Sequence, residues 1–128
     1  MSEFGKALSI STSGLQAQAS RLRHLSENIS NADTPGYRRK TIPFDVRMRD
    51  GVAQVEVGRM SLDDRPLERV FDPSHPMADG TGHYESSNVE LLIELADARE
   101  AQRSYEANLK MFEQARQMSS GLMQLLRR

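Results

Sequence analysis

The sequence predicts a mainly α chain, with long N- and C-terminal helices that pair as a coiled coil around a small β-rich or irregular middle segment. Three observations point there. Leu8, Leu15, Leu22 and Ile29 recur every seven residues, the spacing that keeps apolar side chains on one helical stripe. From Ser87 onward there is no proline, and Gly121 is the only glycine, so nothing interrupts a second long helix. All five prolines fall between Pro35 and Pro76, which confines the turn chemistry to the middle. The expected division is 1–34 for the N-terminal coiled-coil helix, 35–86 for the turn-rich middle and 87–128 for the C-terminal coiled-coil helix.

The first helix is expected from Phe4 to about Asn31, with Phe4, Leu25 and Ala32 flanking the seven-residue repeat. Its first half is a weak helix former. Ser9, Ser11, Thr12, Ser13 and Gly14 all have low propensity, and an interior glycine costs about 1 kcal/mol relative to alanine. Such a segment needs a packing partner to form fully. Its stop is well marked: Pro35 biases the preceding residue out of the α region, Asn31 and Asp33 bond nearby backbone groups, and Pro35-Gly36 makes a turn.

In the middle, Thr41–Val46, Val52–Val57 and Leu67–Phe71 are strand candidates, with Asp50-Gly51 as a hairpin turn. The last helix is expected to start at a capping box, Ser87-Asn88-Val89-Glu90, and to reach about Leu126. Leu91, Leu95, Ala98, Gln102, Tyr105, Leu109, Phe112, Ser119, Met123 and Leu126 follow a heptad-like track. At 1.5 Å per residue that helix is roughly 55–60 Å long, too long for a small β unit to bury. The first helix or another chain must cover it.

Composition narrows the function classes. Hydrophobic residues are 38%, aromatics 5%, and tryptophan is absent, which is lean for a large autonomous core. Lys+Arg 17 against Asp+Glu 18 gives a net charge of -1, so no field of one sign draws the chain to nucleic acid or a membrane. With no cysteine, disulfides, thiolate metal sites and cysteine nucleophiles are excluded. No apolar run approaches the roughly 20 residues of a membrane span. Met1–Lys6 opens no signal-peptide core, so departure from the cytoplasm is expected to use a route without a cleavable signal.

No catalytic constellation emerges. His24, His75 and His83 match no metal-ligand spacing. Asp63-Asp64 and Glu94 with Asp97 read as solvated carboxylates, because no nucleophile with a base and an orienting group lies near them. Asp79-Gly80-Thr81-Gly82 is too short for a phosphate loop. Arg38-Arg39-Lys40, with Arg47 and Arg49, is the one basic cluster. Asp33, Asp45 and Asp50 surround it, and it reads as a solvated or inter-subunit ion-pair face rather than a nucleic-acid site. The heptad leucines fit a helix-hairpin core or packing in a multi-chain assembly. The functional readings are an assembling structural subunit or, from another class, a small helical-hairpin adaptor or chaperone-like module; an enzyme is the most distant.

Ala7-Leu8, Ser11, Gly14-Leu15, Ala17-Gln18, Arg21-Leu22, Ser26-Glu27-Asn28-Ile29 and Asn31-Ala32-Asp33-Thr34-Pro35-Gly36-Tyr37 resemble the N-terminal motif of bacterial flagellar rod and hook proteins. Asp72-Pro73-Ser74-His75-Pro76, Asn88-Val89 with Glu94, Arg103-Ser104-Tyr105, Ala107-Asn108, Gln114-Ala115 and Gln117-Met118 narrow the resemblance to its proximal rod members. Ser30 departs from the pattern, where the family often has alanine.

The resemblance implies a subunit of the basal-body rod, exported by the flagellar type III apparatus and polymerised helically in the periplasm. Its partners would be further copies of itself, other rod proteins and the export apparatus. No cofactor, nucleic acid, membrane insertion or small-molecule substrate is implied. The residues expected to pack within and between subunits are Leu8, Leu15, Leu22, Leu25 and Ile29 with Leu95, Tyr105, Leu109, Phe112 and Met123. Asn28, Asn31, Thr34, Pro35, Gly36 and Tyr37 form the motif turn. Phe44 and Met48 fit a short export-gate motif, an aromatic followed four residues later by an apolar side chain.

Overall fold

Two long helices account for half of the chain, and the structure, a computed structural model, describes residues 2–127. Helix α1 spans Glu3–Ser30 and helix α2 spans Leu91–Leu126. Between them lie β1 (Lys40–Thr41), β2 (Phe44–Arg49), β3 (Val52–Val57), β4 (Ser61–Leu62), β5 (Arg69–Phe71) and β6 (His83–Glu85). The strands make three separate antiparallel pairs, β1 with β4, β2 with β3 and β5 with β6.

Local chemistry accounts for the boundaries. Ser2 caps α1 by accepting the Gly5 N–H at 3.0 Å, which satisfies one of the orphan donors of the first turn. At the other end Asn31 bonds back to the Glu27 carbonyl through its backbone N–H and its side chain. The Thr41–Val46 candidate is split, because Pro43 supplies no N–H to a ladder. Lys40–Thr41 pairs with Ser61–Leu62 on one side of it, and Phe44–Arg49 pairs with Val52–Val57 on the other. Asp50 and Gly51 both have positive φ, 52° and 76°, the geometry a two-residue hairpin turn demands. The strand expected over Leu67–Phe71 is confined to Arg69–Phe71.

The start of α2 differs from the expected capping box. The cap position is Glu90, which makes no side-chain capping bond. The Ser87 and Asn88 side chains are committed elsewhere: Ser87 Oγ donates to the Ala32 carbonyl, and Asn88 bonds Arg39 and the Asp63–Arg65 loop. Long-range polar bonds win over local capping here.

The helices run antiparallel. Asn28 meets Glu94 near one end and Gly14 abuts Asn108 near the middle. The same register places Glu3 level with Ser119, so the last turns of α2, with Leu122, Met123, Leu125 and Leu126 exposed, run past the start of α1. The buried positions on the seam are small or polar: Ser11, Gly14, Ala17, Leu25 and Asn28 on α1, Glu94, Ala101 and Ala115 on α2. Leu25 is the one large apolar residue among them. The hairpin β2–β3 lies on the flank of α1 that carries Ser9 and Ser13: Ser13 Oγ accepts the Val55 N–H at 3.1 Å and Ser9 Oγ accepts from Gln54. The serines that weaken α1 as an isolated helix therefore receive β3. At 100° per residue Leu8, Leu15 and Leu22 fall on the opposite flank, where they are half-buried.

Gly14 tests the closeness of this seam. A Cβ there would lie 2.5 Å from Asn108 Oδ1 and 2.7 Å from its Cγ, and the carboxamide is tethered by donating to the Ser104 carbonyl at 2.9 Å. We expect Gly14→Ala to lower stability by about 1–3 kcal/mol through overpacking. In an Asn108→Ala background the same change should stabilise, by up to about 1 kcal/mol of helix propensity. Urea unfolding followed by circular dichroism reads both signs.

Candidate functional site

The terminal helices and the motif turn meet at a buried polar node. Asn28 and Glu94 are both 0% exposed, although the first lies in the last turn of α1 and the second in the first turn of α2. Asn28 Nδ2 donates to the Lys40 carbonyl at 3.0 Å and to Glu94 Oε2 at 3.3 Å. Asn28 Oδ1 accepts from Tyr37 Oη at 2.8 Å and from the Lys40 N–H at 2.9 Å. Two donors and two acceptors exhaust the carboxamide's capacity. Rotating it by 180° would set Nδ2 against the Lys40 N–H, so only one orientation satisfies the network. Replacing Asn28 with any other residue type loses at least one of these bonds.

Glu94 is balanced from its other oxygen. Arg39 Nε donates to Oε1, and the same guanidinium reaches Asp97 Oδ2 at 3.3 Å and Asp63 Oδ2 at 3.9 Å. A carboxylate without exposed surface requires such a partner, because desolvation of an unpaired charge costs several kcal/mol. Asn88 completes the frame: its Oδ1 accepts the Arg39 N–H at 2.7 Å, and its Nδ2 donates to the carbonyls of Asp63 and Arg65 at 3.0 and 3.2 Å.

The turn that presents Tyr37 and Arg39 is built from its own polar residues. Thr34 Oγ1 donates to Asn31 Oδ1 at 3.1 Å, the Tyr37 N–H reaches the Thr34 carbonyl, and the Gly36 N–H reaches the Glu85 carbonyl on β6. Gly36 has φ +75°, a conformation that side chains with a Cβ rarely adopt, and Pro35 fixes the preceding backbone. Asn28, Asn31, Thr34, Gly36 and Tyr37 are thus directly involved in this framework.

The basic cluster is absorbed within the chain. Arg39 sits in the node, Arg38 donates to the carbonyls of Asp63 and Arg65, Lys40 pairs with Glu27, and Arg47 and Arg49 share Glu56. This corrects the reading of a solvated face for Arg38, Arg39 and Lys40, whereas the Arg47 and Arg49 side chains stay 68% and 59% exposed. It also corrects the reading of Asp63, Glu94 and Asp97 as solvated carboxylates. The signal for Glu94 was in the sequence: it shares a seven-residue track with Ala101, Asn108 and Ala115, the small-residue side of the helix.

Charge states follow from these contacts. Burial pushes the Tyr37 phenol up. The bond from Lys40 holds Glu27 below the usual carboxylate range and raises Lys40 in turn. The Arg65 backbone N–H, followed by its side chain, lowers Asp63. In the β5–β6 loop the Thr81 hydroxyl, with the backbone N–H groups of His83 and Thr81, holds Asp79 at about 2.

The other expected packing residues occupy different environments. Leu25 is buried; Leu8, Leu15, Leu22, Ile29, Tyr105 and Phe112 are half-buried; Leu95, Leu109 and Met123 are exposed. Phe44 and Met48 lie on one face of β2, 39% and 67% exposed. Among the described residues no group of three or more His, Cys, Asp or Glu side chains is placed to hold a metal ion, and no helix is long and apolar enough to cross a membrane.

Two family models match the ends of the chain. Residues 8–38 match the model described as flagella basal body rod protein, and residues 81–125 the flagellar basal body rod FlgEFG protein C-terminal model. Full-length similarity extends to the flagellar basal-body rod protein FlgC of Agrobacterium fabrum, 42% identical over 99% of this chain and 98% of the relative. The FlgC of Salmonella typhimurium is 32% identical over 85% of this chain and 87% of its own length. That of Borreliella burgdorferi is 30% identical over 94% and 95%.

The node yields two expectations. Asn28→Ala strands the Tyr37 hydroxyl, both backbone groups of Lys40 and one Glu94 oxygen, and should destabilise the chain by about 2–4 kcal/mol in urea unfolding. Wild-type stability would show the node to be dispensable. For Asp79, a folded-state pKa of about 2 against an ordinary 3.8 means its stabilisation is fully present above pH 4 and is lost as pH falls towards 2. Asp79→Asn should remove that acid dependence from the β5–β6 amide signals in an NMR titration; an unchanged profile would exclude Asp79 as its source.

Proposed function

The chain belongs to the FlgC family of flagellar basal-body rod proteins and is a structural subunit of the rod, and from that premise we propose how it is delivered and how it works. It is exported by the flagellar type III apparatus and joins further copies and other rod proteins in the periplasm. There it polymerises helically and transmits torque, with no catalytic activity of its own. Residues 1–34 and 87–128 form the coiled-coil part, and 35–86 the segment outside it.

The observation that carries this reading is the division of labour between the two sides of the seam. Polar contacts at Asn28, Glu94 and Arg39 set the register within one chain. Meanwhile Leu8, Leu15, Leu22 and Ile29 remain half-buried. On an antiparallel pair in this register, the flank carrying those leucines adjoins the α2 flank carrying Tyr105, Leu109, Phe112 and Met123. Apolar area left beside the intramolecular seam is available to neighbouring subunits, and its burial, at roughly 25 cal/mol per Å², offsets the entropy of ordering long helices. Leu95 extends the exposed apolar surface near the start of α2. The turn from Asn28 to Tyr37 fixes where the coiled-coil part ends. Phe44 and Met48, on one exposed strand face with Val46 between them, suit recognition by the export gate.

Deletion of the gene should abolish swimming and leave basal bodies without a completed rod in electron micrographs, and the wild-type chain should restore both. Leu22→Asp should fold with normal helix content yet fail to restore rods. Normal rods and swimming with that variant would contradict the assembly role of the leucine flank.

A further inference from the structure

The hairpin β2–β3 leaves one edge open. Arg49 and Val52 flank its two-residue turn and are register partners. In such a hairpin that pair exchanges both backbone hydrogen bonds and the pairs alternate from there. Phe44, Val46 and Met48 on β2, and Val57, Val55 and Ala53 opposite them, therefore point their backbone groups away from each other. On β3 that outward edge lies against α1, where Val55 N–H donates to Ser13 Oγ. On β2, among the described residues, no further strand pairs with it. Phe44, Val46 and Met48 are 39%, 72% and 67% exposed. An edge with apolar side chains and unpaired backbone groups is a template for another strand.

The charges on the other face select the partner. Asp45 stands opposite Glu56, a like-charge pair, and Asp45 has no ion-pair partner among the described residues. Arg47 and Arg49 both bind Glu56, at 2.6 and 3.0 Å, so Arg49 alone can hold that carboxylate. We propose that β2 docks antiparallel on β2 of a second copy, about a two-fold axis through Val46. That register pairs Val46 with Val46, Phe44 with Met48, and Asp45 with Arg47, each of the last two contacts occurring twice. It gives every Asp45 its missing cation. It also aligns the outward-pointing residues of both strands as hydrogen-bonded pairs, producing one four-stranded sheet. The contact is isologous and closes on itself, so it is distinct from helical rod polymerisation and its failure would leave the rod reading untouched.

Sedimentation velocity on the full purified chain, over a concentration series reaching the millimolar range, tests this. A short edge makes a small interface, so the wild type should show a weak monomer–dimer equilibrium. Asp45→Arg should weaken the dimer by about tenfold or more, and the double variant Asp45→Arg with Arg47→Asp should restore it, because it recreates the pairing with signs exchanged. Circular dichroism checks that all three share one fold. A wild type that stays monomeric throughout would overturn the proposal. So would a double variant no better than the single one, or a dimer indifferent to both changes.

Discussion

A carboxylate with no exposed surface constrains the rest of this molecule. Glu94 can be buried only if Arg39 and Asn28 reach it, and they reach it only if α1 has ended, the chain has turned through Pro35-Gly36 and α2 has begun. Three segments distant in sequence must converge on two oxygen atoms. The cost of stranding a buried charge makes misaligned arrangements of the two helices much less stable than the native one. Asn28, with its four bonds all used, adds the same requirement for the Lys40 backbone and the Tyr37 hydroxyl.

That constraint explains why the helix seam can be so sparing in apolar bulk. Serine, glycine and alanine at Ser11, Gly14, Ala17, Ala101 and Ala115 let the helices approach closely but contribute little hydrophobic stabilisation, and small uniform seams specify register poorly. The node and the Gly14–Asn108 contact supply the register. Larger apolar side chains are thereby left on the flanks, where a subunit of an assembly has use for them. A chain with a larger private core would fold more stably alone and have less to offer its neighbours.

Much of the fold was legible in the sequence. The heptad leucines located α1, Pro35-Gly36 located its end, and the Asp50-Gly51 pair located the hairpin turn whose strand Val52–Val57 was marked by its three valines between Gly51 and Gly58. What escaped was long-range and polar. Ser87 resembles a helix cap until Ala32 claims its hydroxyl. Glu94 and Asp63 resemble solvated carboxylates until Arg39 is brought beside them by a turn whose path local propensity does not encode. The seam was misjudged for a related reason: periodicity identifies the most apolar track, whereas close packing of two helices selects the smallest one. The motif residues Asn28, Tyr37 and Asn88 were recognisable as a pattern, and the reason for the pattern became visible only in the hydrogen bonds they make.

Control of helix register by the node can be read as a distance. Gln16 and Glu106 are exposed and lie level with each other in mid-helix, away from the node. Spin labels at these positions, read by pulsed electron paramagnetic resonance, should give one narrow distance in the otherwise wild-type chain. With Glu94→Leu added, the distribution should broaden or shift while helix content persists. An unchanged narrow distance would show that the seam holds register without the node.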